Sequence, residues 1–271
     1  MDSTADRRGV LYPARLPEFQ RILAPQHLRD RVGWFWVARW NIAPGRTSRQ
    51  ELLPFPCMNL VIQPTGVTLA GISTGASHRD LTGNGWVLAA LLLPASIRSF
   101  GVEPRSVLGS EVSLSAEQLL EPVRQLMDAP PTQERLNSAV DLLTAWLEQK
   151  VRVTDQHGLI ANKMLDLVAQ RRDIVNVVQL AVALGLSVRS LQRLSSDYVG
   201  LTPLTIIRRY RLQEAAQRLR DNPSTSITQI AAELEYADHA HLTKDFRQLL
   251  GFTPSAYRAG STDRKPSTPL S

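Results

Sequence analysis

Long cationic and amide side chains recur at helical spacing near the middle of the C-terminal half of the chain. In the stretch "SVRSLQRL" they stand at Arg189, Gln192 and Arg193, with Ser190 between them. Guanidinium groups can donate two hydrogen bonds to guanine O6 and N7, and glutamine can pair with adenine in the same bidentate manner. The chemistry that this pattern indicates is the reading of base edges in the major groove of DNA.

A second stretch, "HAHLTKDF", offers a similar arrangement about 50 residues later. His239, Ala240, Thr243 and Lys244 fall on the outward stripe of the predicted helix, and Arg247 lies near its end. Residues three and four positions apart share one face of a helix. The inward stripe is therefore Leu242, Phe246 and Leu249, just as Leu191, Leu194 and Tyr198 anchor the first helix.

One amphipathic helix with a charged outer face is most simply a solvated surface. An internal repeat argues for more than that, because two segments can be superimposed with one extra residue in the second turn. The matching pairs are Ala181 with Ala231, Leu191 with Leu242, Gly200 with Gly251 and Pro203 with Pro254. Each copy predicts a helix, a tight turn and a second helix closed by glycine, which is a helix-turn-helix unit.

A long helix is predicted to join the two units. About 18 residues at 1.5 Å each span roughly 27 Å, which is near the 34 to 36 Å between successive major-groove faces of DNA. The same helix carries "RRYR", and its Arg208 and Arg209, together with Arg247, are the predicted phosphate contacts. Such contacts position a protein on DNA without reading sequence.

Four segments carry a resemblance to a known family: "LGLSVRSLQRL", "VGLTPLTIIRRYRLQEA", "SITQIAAELEY" and "GFTPSAYR". In these segments the chain resembles the AraC/XylS family of transcription regulators, over residues 157–259. The resemblance implies a seven-helix domain with two helix-turn-helix units that bind promoter DNA through both second helices. Two positions depart from the family pattern. Ser195 replaces a core phenylalanine, so we expect the first recognition helix to be less tightly anchored. Glu235 replaces a turn glycine, so we expect strain in the second turn if its φ is positive.

The rest of the chain predicts an α+β protein of two domains. Short apolar runs broken by Pro and Gly favour a small β-barrel or sandwich over residues 11–114, and helical periodicity returns over 115–156 as a linker or dimerisation segment. The ends, 1–10 and 260–271, are polar and predicted to be disordered. The strand-rich region resembles cupin-like sensor domains, which implies a small-molecule effector or self-association into a homodimer.

Few residues of the N-terminal half could carry catalysis. Cys57 has no neighbouring base to activate a thiol, and His78 has no second ligand at metal-binding spacing. Trp34, Trp36 and Trp40 alternate onto one strand face, where they either pack in the core or line a pocket. We therefore expect no cofactor and no metal; the alternative, a cupin-type enzyme tethered to a DNA-binding domain, lacks a catalytic constellation.

The charge distribution agrees with a polyanionic partner for the C-terminal third. The net charge is +6 overall, of which residues 1–156 contribute +1 and residues 157–259 contribute +4. The longest apolar run, from Trp86, is too short to cross a bilayer, so a cytoplasmic protein without a membrane partner is expected. The function predicted is that of a sequence-specific transcription regulator, an activator that works with RNA polymerase.

Overall fold

The computed structural model describes residues 18–52, 55–151 and 154–262. The predicted N-terminal tail and residues 263–271 of the predicted C-terminal tail lie outside these ranges. The chain folds as an α+β protein with a strand-rich N-terminal part and a helical C-terminal part. Its strands are β1 (Glu18–Leu23), β2 (Val32–Asn41), β3 (Ser48–Leu52), β4 (Met58–Gln63), β5 (Gly66–Ala70), β6 (Ser77–Leu81), β7 (Asn84–Leu92) and β8 (Glu111–Leu114).

Two antiparallel sheets make up the strand-rich part. The larger has the strand order β1-β2-β7-β4-β5-β8, and the smaller pairs β3 with β6. Alternation along β2 and β4 sends Phe35, Leu60 and Ile62 to a fully buried face. The apolar runs that predicted strands fall within β2, β4, β5 and β7, so the predicted β-rich region is confirmed.

Apart from one short helix between β7 and β8, the helices follow the last strand, as the periodicity predicted. They are α1 (Pro94–Ile97), α2 (Glu117–Asp128), α3 (Gln133–Lys150), α4 (Gln156–Gln170), α5 (Val177–Leu184), α6 (Val188–Tyr198), α7 (Pro203–Asp221), α8 (Ile227–Glu233), α9 (His239–Leu250) and α10 (Pro254–Thr262). The last helix continues to Thr262, three residues past the predicted end of the helical region. No described helix has the length and apolar character needed to cross a membrane.

The helices α2 and α3 cover the buried face of the larger sheet. Trp86 in β7 donates its indole N–H to Asp128 Oδ1 at 2.6 Å, and Arg39 in β2 donates to the Met127 carbonyl at 2.8 Å. Val123 and Leu143 complete this contact as fully buried side chains. The predicted linker segment is therefore part of the N-terminal core in this structure.

The tryptophans of β2 lie on the opposite face of the sheet, and they are half-buried. Trp34 meets Phe55 edge to face at 5.3 Å, and Phe55 meets Tyr210 of α7 at 5.8 Å. Trp36 donates its indole N–H to Asn59 Oδ1 at 2.9 Å. Aromatic contacts thus connect this face of the sheet to the C-terminal helices. Strand alternation alone could not predict that connection.

The buried apolar residues divide within α7, about 50 residues after the predicted start of the DNA-binding domain at residue 157. The larger cluster runs from the sheet through α4, α5 and α6 to Tyr210, and a second cluster begins at Leu212. The second cluster contains the inner faces of α8, α9 and α10, including Phe246 and Tyr257. Consequently the first helix-turn-helix shares its core with the N-terminal part, whereas the second has a core of its own.

Gly200, which follows α6, lets the two parts approach closely. Its φ is +82°, and a Cβ placed there would lie 2.8 Å from the Pro104 carbonyl carbon and 2.9 Å from the Arg105 nitrogen. We expect Gly200→Ala to cost about 2–3 kcal/mol of unfolding free energy, because backbone atoms must shift as well as adopt a strained φ. Gly185→Ala is the matched control in thermal and urea unfolding.

Gly185 has a φ of +66° and open space around the position of a Cβ, so its substitution should cost only the strain, about 1–2 kcal/mol. Equal losses for the two variants would show that the close approach at Gly200 contributes nothing.

Candidate nucleic-acid interface

The first helix-turn-helix unit is formed by α5 and α6. Asn176 and Gln179 form a reciprocal capping box at the start of α5, and Gly185 ends that helix with a φ of +66°. Ser187 then caps α6 by accepting a hydrogen bond from the Ser190 N–H at 3.1 Å. These local signals explain why the chain breaks into two helices with a short turn between them.

The face assignment of α6 agrees with the predicted stripes. Leu191, Leu194 and Tyr198 are buried, and Arg189, Gln192 and Arg193 are exposed. Ser190 is half-buried, and its hydroxyl lies 2.9 Å from the Ser187 hydroxyl. Three of the four predicted base-contacting side chains of this helix are therefore open to a partner, whereas Ser190 also takes part in the cap.

Tyr198 fixes the far end of α6 to the preceding parts of the chain. Its hydroxyl donates to the Asp155 carboxylate at 2.7 Å, and Arg98 lies over its ring at 4.3 Å. Burial raises the pKa of Tyr198 to about 12, and the hydrogen bond to Asp155 adds to the effect. Burial also raises the pKa of Asp155, but the Tyr198 and Gly158 hydrogen bonds and the Arg98 charge outweigh it and hold that pKa below its usual range.

Ser195 is the departure from the family pattern within α6, and the structure shows how the helix accommodates it. The side chain is fully buried, and its hydroxyl donates to the Leu201 carbonyl at 2.6 Å. A hydrogen bond across the turn into α7 thus takes the place of apolar packing. The loss of apolar packing predicted for this helix is therefore offset by a buried hydrogen bond.

We expect Ser195→Ala to lower the free energy of unfolding by about 1–2 kcal/mol, because the Leu201 carbonyl loses its donor in a buried position. Ser196→Ala, at a half-buried neighbour on the same helix, should stay within about 0.5 kcal/mol. Chemical denaturation of both variants measures the difference. A Ser195→Ala variant as stable as the parent would mean that the hydrogen bond carries no net stabilisation.

The second unit is formed by α8 and α9, and it repeats the first. Glu235 stands in its turn with a φ of +53°, the conformation that favours glycine, so the predicted strain at this position is present. Asp238 caps α9 by accepting from the His241 N–H at 2.7 Å. Leu242 and Phe246 are fully buried and hold α9 to its own core.

An open groove of about 600 Å³ lies along the outer face of α9. Its lining is His239, Ala240, Thr243, Lys244, Arg247, Gln248 and Thr253. This set contains all four predicted base-contacting residues of α9 and the predicted phosphate contact Arg247. Gln248 was not among the predicted contacts, although its position four residues after Lys244 places it on the same helical stripe.

The three predicted phosphate contacts have different environments. Arg208 and Arg247 are exposed, but Arg209 is 1% exposed and donates from Nη2 to the Ser73 carbonyl at 2.5 Å. Successive residues of a helix point about 100° apart, so Arg208 and Arg209 cannot share one outer face. The prediction for Arg209 is therefore wrong for this structure, in which its side chain is covered by the N-terminal part.

The candidate catalytic residues of the N-terminal part are not assembled into a site. Cys57 is buried, and burial raises the pKa of its thiol far above the usual range. His78 lies in β6, exposed, with Asp80 as a neighbour at 3.9 Å. Within residues 18–52, 55–151 and 154–262, no group of three or more His, Cys, Asp or Glu side chains is placed to hold a metal ion.

Two family models match the chain in separate places. The model described as "Helix-turn-helix domain" matches residues 180–260, and the one described as "Domain of unknown function (DUF6597)" matches residues 20–112. Residues 180–260 thus form a helix-turn-helix domain. These residues include the motifs in which the sequence resembles the AraC/XylS family.

Curated relatives match in the same part of the chain. The HTH-type transcriptional activator RhaS of Escherichia coli (strain K12 / DH10B) is 31% identical over 127 residues, which are 47% of this chain and 38% of that protein. The F1 operon positive regulatory protein of Yersinia pestis is 37% identical over 84 residues, 31% of this chain and 28% of its own. The chain thus matches well under half the length of these relatives.

Among solved structures, ToxT from Vibrio cholerae O395 aligns with 84% of this chain and 98% of its own, with 16% identity and a TM-score of 0.47.

Proposed function

We propose that this protein is a sequence-specific DNA-binding transcription regulator. The observation that carries the proposal is the repetition of outward stripes with hydrogen-bond donors on the second helices of both helix-turn-helix units, α6 and α9. On α9, His239 and Lys244 are exposed and Thr243 is half-buried. Arg189, Gln192 and Arg193 are the proposed base contacts of the first, and His239, Ala240, Thr243 and Lys244 those of the second, with Ser190 in a supporting position. Arg208 and Arg247 are the proposed phosphate contacts.

The N-terminal part is the proposed regulatory domain, controlled by a small effector or by self-association as a homodimer. Its physical continuity with the first DNA-reading unit supports this role, because the two share one buried cluster. The names of RhaS and of the F1 operon protein describe activators, which favours activation and contact with RNA polymerase. A DNA partner also favours a cytoplasmic location.

A titration of the purified protein against its own upstream DNA tests the proposal. Binding should exceed binding to a shuffled duplex of equal length by roughly a thousandfold or more. If about four phosphates are neutralised, the affinity should fall roughly a hundredfold between 50 and 200 mM salt. Equal affinity for both duplexes, or affinity independent of salt, would contradict the proposal.

The alternative is a cupin-type enzyme tethered to DNA. It requires a catalytic group in the N-terminal part. Of the candidates found there, Cys57 is buried, and His78 has Asp80 as a neighbour but belongs to no group of three or more potential metal ligands in the described residues. An experiment can distinguish the two functions. Removing the cations of α6 should abolish the DNA binding of a regulator, but it should leave the catalytic activity of an enzyme unchanged.

A further inference from the structure

The loop of residues 73–76, between β5 and β6, touches both halves of the C-terminal domain; we call it the bracing loop. Its base is fixed, because Gly71 donates to the Ser110 carbonyl at 2.9 Å and the Gly109 N–H donates to the Ile72 carbonyl at 2.9 Å. Within the loop, the Ser73 hydroxyl donates to the Gly75 carbonyl at 2.7 Å. These hydrogen bonds fix the base of the loop and its turn.

The bracing loop meets the second helix-turn-helix unit at the end of α9. A Cβ placed on Gly75 would lie 3.6 Å from the Gln248 carbonyl oxygen, and one placed on Gly251 would lie 3.1 Å from the Ala76 Cβ. The second unit has a buried cluster separate from that of the N-terminal part. Contacts through the bracing loop are therefore suited to hold that unit in place without merging the two cores.

Arg209 of α7 meets the same loop in an energetically unusual way. The Ser73 carbonyl accepts from its Nη2, but Nε and Nη1 are buried without a hydrogen-bond partner. No carboxylate of the described residues forms an ion pair with it. Burial lowers the pKa of Arg209 to about 10, so the group still carries its charge near neutral pH.

A buried cation without a counter-charge destabilises the arrangement that buries it. Arg208, the preceding residue on α7, is exposed and available to a phosphate. Separation of the bracing loop from α7 would return the Arg209 guanidinium to water. The contact therefore combines close packing, which favours closure, with an uncompensated charge, which favours opening.

We propose that the bracing loop and Arg209 form a releasable latch between the N-terminal part and the second DNA-reading unit, and that engagement of DNA opens it. The proposal rests on the proposed function for its trigger. The latched state holds α9 against the N-terminal part. In the open state the Arg209 guanidinium leaves the Ser73 carbonyl and returns to water, while the second unit moves about α7.

Two substitutions should move the latch in opposite directions. Arg209→Met keeps an apolar side chain of similar length and removes the buried charge, so it favours the closed state. Gly75→Val adds two methyl groups to a Cβ that would already lie 3.6 Å from the Gln248 carbonyl oxygen, so we expect the added bulk to favour the open state; the substitution removes no cation. Arg208→Met is the matched control, because it deletes an exposed cation one residue away.

The distance between the two parts can be measured by pulsed electron resonance on the full chain. Spin labels at Gln125→Cys in α2 and Gln229→Cys in α8 occupy exposed sites, and the native Cys57 is buried. Without DNA, Gly75→Val should replace the narrow distance distribution with a broad one, whereas Arg209→Met and Arg208→Met should keep it narrow. Upstream DNA should broaden or shift the distribution of the parent.

Arg209→Met should need about tenfold more DNA than the parent for that shift, Arg208→Met only about threefold more, and Gly75→Val about fivefold less. A Gly75→Val distribution identical to the parent, or equal effects of the two arginine variants, would overturn the latch. A different result is that the distributions measured without DNA behave as expected while the protein binds no DNA. That pair of results would overturn the proposed function and leave the latch standing.

Discussion

Replacing Arg193 by glutamate is expected to abolish specific DNA binding while leaving the fold intact. Arg193 is exposed on the outer stripe of α6, between the buried anchors Leu191 and Leu194. The substitution removes a bidentate donor worth about 1–3 kcal/mol and sets a carboxylate against the phosphate backbone. The combined loss should be about 3–4 kcal/mol, a several-hundredfold rise in the dissociation constant for the protein's own upstream DNA.

The control for that experiment is Arg46→Glu. Arg46 is also exposed, but it lies in the loop between β2 and β3 of the N-terminal part. The same change of net charge there should alter affinity only by a small, salt-dependent factor. Thermal midpoints of both variants should match the parent, since surface substitutions usually stay within about 0.5 kcal/mol. If both variants bind equally well, α6 does not read DNA.

Truncating Phe246 should unfold the second helix-turn-helix unit and leave the N-terminal part folded. Its side chain is fully buried and meets the rings of Tyr257 at 5.8 Å and Phe252 at 6.0 Å. Phe246→Ala should cost about 3–5 kcal/mol. Because the buried cluster of this unit is separate from the larger one, we expect the loss to fall on the second unit alone.

The distribution of aromatic residues makes that outcome measurable. All five tryptophans, at positions 34, 36, 40, 86 and 146, precede α4. On heating Phe246→Ala, the helical circular dichroism signal should therefore begin to fall as the second unit unfolds. Tryptophan fluorescence, which reports on the N-terminal part, should change only at a higher temperature. Phe252→Ala, at a half-buried ring of the same cluster, should lose only about 1–2 kcal/mol. A single transition seen by both signals would show that the two clusters unfold as one.

The C-terminal domain could be predicted from sequence because its signals are local. Caps such as Ser187 and Asp238, the C-terminal glycines and the apolar spacing each act within a few residues, and the repeat supplies every signal twice. The strained turn at Glu235 could be foreseen for the same reason. The buried faces of α6 and α9 follow from helical period alone.

Long-range packing could not be predicted in this way. The burial of Arg209 depends on Ser73, which is 136 residues away in sequence, and "RRYR" carries no sign of it. Likewise, the periodicity of α7 is continuous across the point at which one buried cluster ends and the other begins. Alternation placed the tryptophans of β2 on one face of the strand. Which face meets the C-terminal helices depends on tertiary packing, which the strand pattern does not contain.

The division of the buried clusters within α7 bears on the kinetics of a search along DNA. Once α6 has docked, a helix of 19 residues, about 28 Å long, keeps the second unit beside the neighbouring groove. The second docking then becomes an intramolecular step, with an effective concentration in the millimolar range. Under those conditions the second unit can bind usefully even if its own affinity for DNA is weak. The residence time on a site then depends on whether the base sequences of both major grooves match their two units.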